Sequence, residues 1–281
     1  MSTPRTRRFH QLDVFTDTAL RGNPLAVIHE AEGLDDATLA AMARWTNLSE
    51  TTFLLPPTDP AADYQVRIFT PGGELPFAGH PTLGSCQAWL LAGGQPKQPG
   101  EVVQQCGVGL VRVRRAGRRL AFAAPPCRMG EVEAPLLASV LQALGLADHQ
   151  VRQARWLDNG PRWLGLLLAD GASVRALRPD HVALKTLAKV GVVGPQATGE
   201  DTDFEVRGFV APIGIDEDPV TGSLNASLAQ WLIGEGLAPA RYVAAQGSQL
   251  GRAGRVHVTQ EGDTVWIGGD VSSVIEGTLT L

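Results

Sequence analysis

The sequence predicts an α+β protein of two similar halves, each a strand-rich sheet around one longer apolar helix. Three observations predict it. Paired segments recur at nearly one spacing, alternating strand-like runs sit between Gly/Pro turns, and two helix-length stretches are small and apolar almost all round.

The recurrence is the strongest of these. Residues 64–71 read YQVRIFTP and residues 204–212 read FEVRGFVAP, so Val66/Val206, Arg67/Arg207 and Phe69/Phe209 match 140 residues apart. HPTLGS at residues 80–85 meets DPVTGS at 218–223, 138 residues on. Upstream, GNPLAVI (22–28) and NGPRWLGLLL (159–168) are each a turn running into an apolar strand, 137 residues apart by their prolines. A short amphipathic helix follows each. Leu39, Met42 and Ala43 give the first its i, i+3, i+4 face after Asp35 and Asp36, and Leu184, Leu187 and Ala188 the second after Pro179 and Asp180. The longer helices are predicted over residues 81–91 and 220–233, apolar enough to be buried. Alternating runs at 109–114 and 255–260 then predict antiparallel strands.

A length of 281 residues suits two domains of about 140. The expected division is residues 1–126, residues 127–265, and final strands at 266–281 able to return to the first lobe. A net charge of −5 argues against a nucleic-acid or anionic-membrane partner. The one basic cluster, MSTPRTRR at 1–8, reads as a solvated N-terminal tail. The longest apolar run, near 164–169, falls far short of the roughly 18 residues of a membrane span. Asp13, Asp17 and Arg21 break any signal-peptide core, so a cytoplasmic location is expected. Cys86, Cys106 and Cys127 lack CxxC spacing and fit reduced thiols. The six histidines lack paired spacing, and no metal site is expected.

Both longer helices start on one pattern: a titratable residue, Pro, two residues, Gly, Ser. Pro in a first helical turn has the right φ and no N–H to leave unpaired. The N–H groups of Thr82, Leu83 and Gly84, and of Val220, Thr221 and Gly222, are then expected to face the loop side. With the helix dipole they would make an anion site suited to a carboxylate. Gly84 and Gly222 would let a ligand or a facing strand approach closely. Each titratable residue also has a plain structural reading: Asp218 suits an N-cap, and His80 a satisfied core histidine. Together, at equivalent places, they read as two sides of one small-molecule cleft.

One carboxylate breaks the symmetry. Glu50, in NLSETTF (47–53), has uncharged, half-apolar neighbours, so desolvation would bring its pKa toward the range useful for proton transfer. Its counterpart at the 140-residue spacing is Val190, where no acid stands.

LSETTF, LPFAGHPTLG and EDPVTGS, in that order, closely resemble the PhzF family, the phenazine-biosynthesis-like isomerases, which are related in fold to diaminopimelate epimerase and proline racemase. The likeness spans nearly the whole chain, from VFTD…RGNPLAVI near 14–28 to QGSQLGRAGRVHV near 246–258 and VWIGGDVSSVIEG at 265–277. It implies a diaminopimelate epimerase-like fold: two pseudo-symmetric lobes, each a curled, mostly antiparallel sheet around a central helix. The site would lie between them, with neither cofactor nor metal. The resemblance makes Glu50 the general acid/base moving a proton on a small carboxylic acid, with His80 and Asp218 as catalytic partners. Ser49, Gly79, Gly222 and Ser223 become substrate-binding positions. It also implies a homodimer.

Two departures bear on this. The epimerases and racemases oppose two cysteines where His80 and Asp218 stand, and Cys86 lies nearly two helical turns past His80. Leu224 and Asn225 are larger and more polar than the small residues common at that place in the family, which bears on pocket shape. Two other readings stay open: an epimerase or racemase of an amino-acid-like substrate, and a non-catalytic small-molecule binder that keeps the fold.

Overall fold

The computed structural model describes residues 4–281, grouped into two compact units: residues up to Ala123 with Gly268–Leu281, and Ala124–Ile267. In the first, β1 (Thr6–Val14) and β2 (Asn23–Ile28) pair antiparallel from Phe9↔Ile28 to Val14↔Asn23. The expected solvated tail holds for the exposed Arg5 and Arg8 side chains but not for Arg7. Of residues 1–8, the first three lie outside the described residues, and β1 already begins at Thr6. Arg7 is buried and donates to the Glu32 carbonyl at 3.2 Å, while Arg8 donates to that of Ala92 at 3.1 Å. Strand pairing fixes alternate side chains inward, and an inward arginine must find acceptors.

A parallel return to the sheet needs a crossover. Here it is α1 (Asp36–Thr46), capped by Asp35, which accepts from the Thr38 N–H at 2.8 Å. Leu39 and Ala43 of the expected face are buried. Asn47 ends the helix in the left-handed region (φ 53°), which Asn visits more readily than most residues. β3 (Glu50–Leu55) then runs parallel to β2, β4 (Tyr64–Thr70) antiparallel to β3, and β5 (Gly73–Leu75) folds back on β4. After α2 (Gly79–Leu91), β6 (Glu101–Cys106) returns parallel to β4, followed by β7 (Gly109–Ala116) and β8 (Arg119–Ala123) as an antiparallel ladder. The C-terminal strand Val271–Thr280 pairs along the whole of β1, from Thr6↔Thr280 to Val14↔Val271. Helix α2 packs against β1, β2, β3, β6, β7 and β8, and every residue from Gly79 to Cys86 is buried. Gly84 makes this possible, because a Cβ there would fall 2.5 Å from a Leu25 methyl and 3.0 Å from one of Val14.

The second unit repeats the order with one addition. β9 (Arg128–Gly130) leads into α3 (Ala134–Leu144), a helix the repeat does not predict; its Val140, Leu141 and Leu144 join a core with Leu164, Leu166 and Val190. β10 (Val151–Asp158) and β11 (Arg162–Leu168) pair antiparallel. The crossover is not the single amphipathic helix expected over Leu184, Leu187 and Ala188. It is two short helices, α4 (Gly171–Ala176) and α5 (His181–Leu184), each with an aspartate cap, Asp170 and Asp180. Pro179 between them prevents one continuous helix. β12 (Val190–Pro195) is parallel to β11, β13 (Phe204–Phe209) antiparallel to β12, and β14 (Glu217–Asp218) pairs with β13. After α6 (Gly222–Gly234), β15 (Arg241–Gln246) returns parallel to β13, and β16 (Gly254–Glu261) and β17 (Thr264–Gly269) follow. Helix α6 is buried from Gly222 to Ala229. The fold class is therefore α+β, with two units of like topology, each a curled mixed sheet around one buried helix. Among the described residues no helix is long and apolar enough to cross a membrane.

Candidate active site

Glu50 owes its place to the end of α1. Asn47 turns the chain, the Thr46 and Thr51 hydroxyls meet at 2.7 Å, and β3 begins at Glu50 opposite Leu25. Ser49 precedes it, partly buried. His80 is the second residue of α2, and its Nε2 stands 3.4 Å from Glu50 Oε2, with side chains 4% and 15% exposed. Its Nδ1 lies 3.3 Å from Asn23 Nδ2. Burial pushes the imidazole pKa down to about 3, while a hydrogen bond with the Pro24 backbone acts weakly the other way. The ring is thus neutral at physiological pH. Side chains pin this end of α2: Ser85 donates to Thr52 of β3 at 2.9 Å, and Gln104 of β6 donates to Thr82 at 3.0 Å.

The helix start differs from the sequence expectation. α2 begins at Gly79, so the Thr82 N–H is already bonded to the Ala78 carbonyl at 3.2 Å and cannot serve an anion. The first-turn N–H groups outside the intrahelical ladder are those of Gly79 and His80, with Pro81 lacking one. Gly79, expected as a substrate contact, is thereby the N–H donor next to His80.

In the second unit α6 begins at Gly222, after an N-cap that is Thr221 rather than Asp218. Asp218 ends β14, and its Oδ2 accepts from the Thr221 hydroxyl at 2.6 Å. Gln246, buried at the end of β15, binds this turn from behind. Its Nε2 donates to the Asp218 carbonyl at 3.1 Å and to Thr221 Oγ1 at 2.9 Å, and its Oε1 accepts from the Thr221 N–H at 3.0 Å and Asn225 Nδ2 at 2.8 Å. The Thr221 N–H is therefore also engaged. Gly222 and Ser223 form the first two positions of α6, and Asn159 donates to the Ser223 carbonyl at 2.9 Å. Reading the sequence missed Asn23, Asn159 and Gln246. The signal available was positional only: an amide residue inside an otherwise apolar strand or beside a Gly-Pro turn.

The structure thus brings Glu50, His80 and Gly79 together in the first unit, and Asp218, Gly222 and Ser223 together in the second. Leu224 and Asn225 do not shape a pocket. Leu224 is fully buried over two glycines, since a Cβ on Gly191 would fall 2.1 Å and one on Gly208 3.2 Å from its methyls. Asn225 is equally buried in the Gln246 network. Cys86 is buried, and burial raises its thiol pKa far above the usual range, so it carries no thiolate. The sheet register also moves the counterpart of Glu50 by one residue. Thr51 faces Phe69 and Val190 faces Phe209, so Glu50 corresponds to Lys189, whose ammonium sits 5.4 Å from the centre of the Trp163 ring. Burial lowers its pKa. Among the described residues no three His, Cys, Asp or Glu side chains converge as a metal would require.

Solved structures share this architecture. One is a PhzF-family protein of Enterococcus faecalis, 25% identical, covering 99% of this chain and 100% of that one with a TM-score of 0.82. A hydroxyproline epimerase of Agrobacterium vitis, 14% identical over 99% and 93% of the two chains at a TM-score of 0.64, shows the same fold. The architecture is therefore that of PhzF-family proteins and of epimerases such as this one.

The family follows from the sequence as a whole. A protein of Schizosaccharomyces pombe called antisense-enhancing sequence 1 is 33% identical over 96% of this chain and 97% of its own. A trans-2,3-dihydro-3-hydroxyanthranilate isomerase of Pseudomonas aeruginosa is 32% identical over 96% and 98%. The chain belongs to the family described as phenazine biosynthesis-like protein, whose model matches residues 12–277.

Proposed function

We propose that this protein is a cofactor-independent isomerase that moves a proton on a small carboxylic acid, with Glu50 as general acid/base. The observation that carries the reading is the Glu50–His80 pair: a carboxylate 3.4 Å from an imidazole that burial keeps neutral. A neutral ring beside Glu50 does not fix the carboxyl in its charged form, as an imidazolium would. The carboxyl group can therefore take a proton from one carbon and return it to another. A positioned acid/base of this kind contributes about 10²- to 10⁴-fold, and positioning and fixed dipoles supply the rest. The first-turn N–H groups of α2 are suited to hold the substrate's anionic group. Asp218, Gly222 and Ser223 are proposed as substrate contacts because they match the DPVTGS motif. The related isomerase of Pseudomonas aeruginosa suggests the first substrate to try.

The test is solvent-deuterium incorporation into trans-2,3-dihydro-3-hydroxyanthranilate and a panel of small cyclic and amino acids, comparing wild type with Glu50→Gln. A turned-over acid should lose exchange by a hundredfold or more in the variant. Unchanged exchange in Glu50→Gln would remove the assignment, and binding without exchange by wild type would make the protein a binder.

A further inference from the structure

We infer that the first unit carries a binding site for a small carboxylic acid with a compact apolar body, at the C-terminal end of α2 beside Arg115. A cavity of about 260 Å³ opens there, lined by Gln87, Leu90 and Leu91 of α2, Gln95 and Pro96 of the following turn, and Arg115 of β7. Pockets for drug-sized ligands hold roughly 300–1,000 Å³, so this one suits a smaller molecule. Gln87, Leu90 and Leu91 are spaced i, i+3 and i+4, and so share the one face of α2 that the sheet leaves partly open.

The lining combines an apolar floor, two amides and one cation, the composition of a ligand site. Arg115 shares a face of β7 with the buried Val111 and Val113, which turns it toward α2. Burial and the Asp63 charge raise the Cys86 thiol of that helix, and the Arg115 charge pulls it the other way, so the guanidinium lies near α2. Yet among the described residues this guanidinium makes one hydrogen bond, from Nε to the Gly117 carbonyl at 3.4 Å, and no ion pair. Asp63 is already engaged by the N–H groups of Lys97 and Val103 at 2.9 and 2.6 Å. Both Nη groups are therefore open to a carboxylate, which a guanidinium fork grips through two parallel bonds. An apolar body would rest on Leu90, Leu91 and Pro96.

The walls are in place before any ligand arrives. The Gly94 N–H donates to the Trp89 carbonyl at 3.0 Å, and the chain passes so close that a Cβ on Gly94 would fall 2.3 Å from the Trp89 ring. Trp89 in turn stacks on Tyr64, ring centres 5.5 Å apart. Lys97 Nζ ties the end of the turn to the Pro60 and Ala62 carbonyls at 2.7 and 2.6 Å, and the Arg115 N–H donates to the Gly100 carbonyl at 2.9 Å. A preformed site loses little ordering entropy on binding. None of its parts is Glu50 or His80, which meet at the other end of α2.

The experiment is a titration of the full chain with benzoate, followed by NMR of labelled leucine methyls. The Leu90 and Leu91 signals are assigned by their loss in Leu90→Met and Leu91→Met. Both should shift saturably, with a dissociation constant of about 1 mM or tighter, the range that so few ligand atoms allow. Arg115→Gln should weaken this binding by about tenfold to a hundredfold, and Arg115→Lys, which keeps the charge without the fork, by less. Benzamide, neutral and of the same shape, should bind wild type at least about tenfold more weakly than benzoate. Arg115 is exposed, so its variants should keep the fold, which the spread of the other leucine signals reports; the benzamide comparison needs no variant. Leu90 and Leu91 signals unmoved up to about 10 mM benzoate, an affinity unchanged in a folded Arg115→Gln, or equal binding of benzamide overturns the inference.

Discussion

The two units carry the same arginine on the same strand and use it in opposite surroundings. Arg67 of β4 forks onto Glu74 of β5 at 2.8 and 2.6 Å and reaches Asp36 at 2.7 Å, with a quarter of its side chain exposed. Arg207 of β13 forks onto Glu217 of β14 at 2.9 and 2.7 Å, but both side chains are 5% exposed, and the guanidinium also donates to the Leu177 carbonyl at 2.8 Å. Each stacks over a phenylalanine two residues on, Phe69 or Phe209. The duplicated hairpin therefore keeps its geometry while burial changes its energetics. A buried fork is expensive to break, because one charge is left without water or partner; an exposed one is resolvated.

The largest expected effect follows directly. Arg207→Ala should destabilise the second unit by about 3–5 kcal/mol, read as a fall in its urea midpoint. A loss no greater than that of Arg67→Ala would break the comparison. Next in size is the pairing of Leu224 with Gly191. Gly191→Ala should cost about 1–3 kcal/mol by overpacking Leu224, and part of that should vanish in the Leu224→Ala background. Additive losses in that cycle would show that the two do not share the space.

Acid comes third. Burial, and secondarily His10, hold His29 down to about 4, and burial holds His80 down to about 3. Unfolded histidines protonate near 6.5, so between that pH and the folded values the unfolded chain binds more protons. Stability from these groups is whole above about pH 6.5 and is lost as pH falls toward 4 and 3. The first unit's urea midpoint should fall across that window, and less steeply in His29→Gln. Equal slopes would remove His29 from the account. The smallest effect is Arg67→Ala, about 1 kcal/mol or less and weaker still in high salt. A larger, salt-insensitive loss would mean that its partial exposure does not soften the pair.

Much of the fold was legible because duplication writes it twice. Matched Val-Arg-x-Phe strands and matched Pro-x-x-Gly-Ser segments announce equivalent strands and helices without any contact being known. What stayed hidden depends on side chains competing with the backbone. HPTLGS and DPVTGS look alike, yet α2 begins before its motif and α6 within it. Thr82 turns its hydroxyl back onto the Ala78 carbonyl inside a helix, at 2.9 Å, whereas Thr221 gives its hydroxyl to Asp218 and its N–H to Gln246, holding that segment out of the helix. The one-residue slip that made Val190 rather than Lys189 the counterpart of Glu50 has a similar origin. The two crossovers differ in length and helix number, so a fixed spacing drifts until the strand pairing resets it. Of the candidate site, the resemblance named Glu50 and His80 but not their close approach, and it named none of the amide supports, since a lone Asn or Gln gives no periodic signal.

The C-terminal strand closes the first unit by lying along β1, with Arg5 and Leu281 exchanging backbone hydrogen bonds at 2.7 and 3.1 Å. During synthesis β1 is made before the second unit, and its partner only after it. The second unit, continuous in the chain, can condense while the first still lacks an edge. Assembly thus runs against chain order, and the unit that holds Glu50 and His80 is the later to be completed.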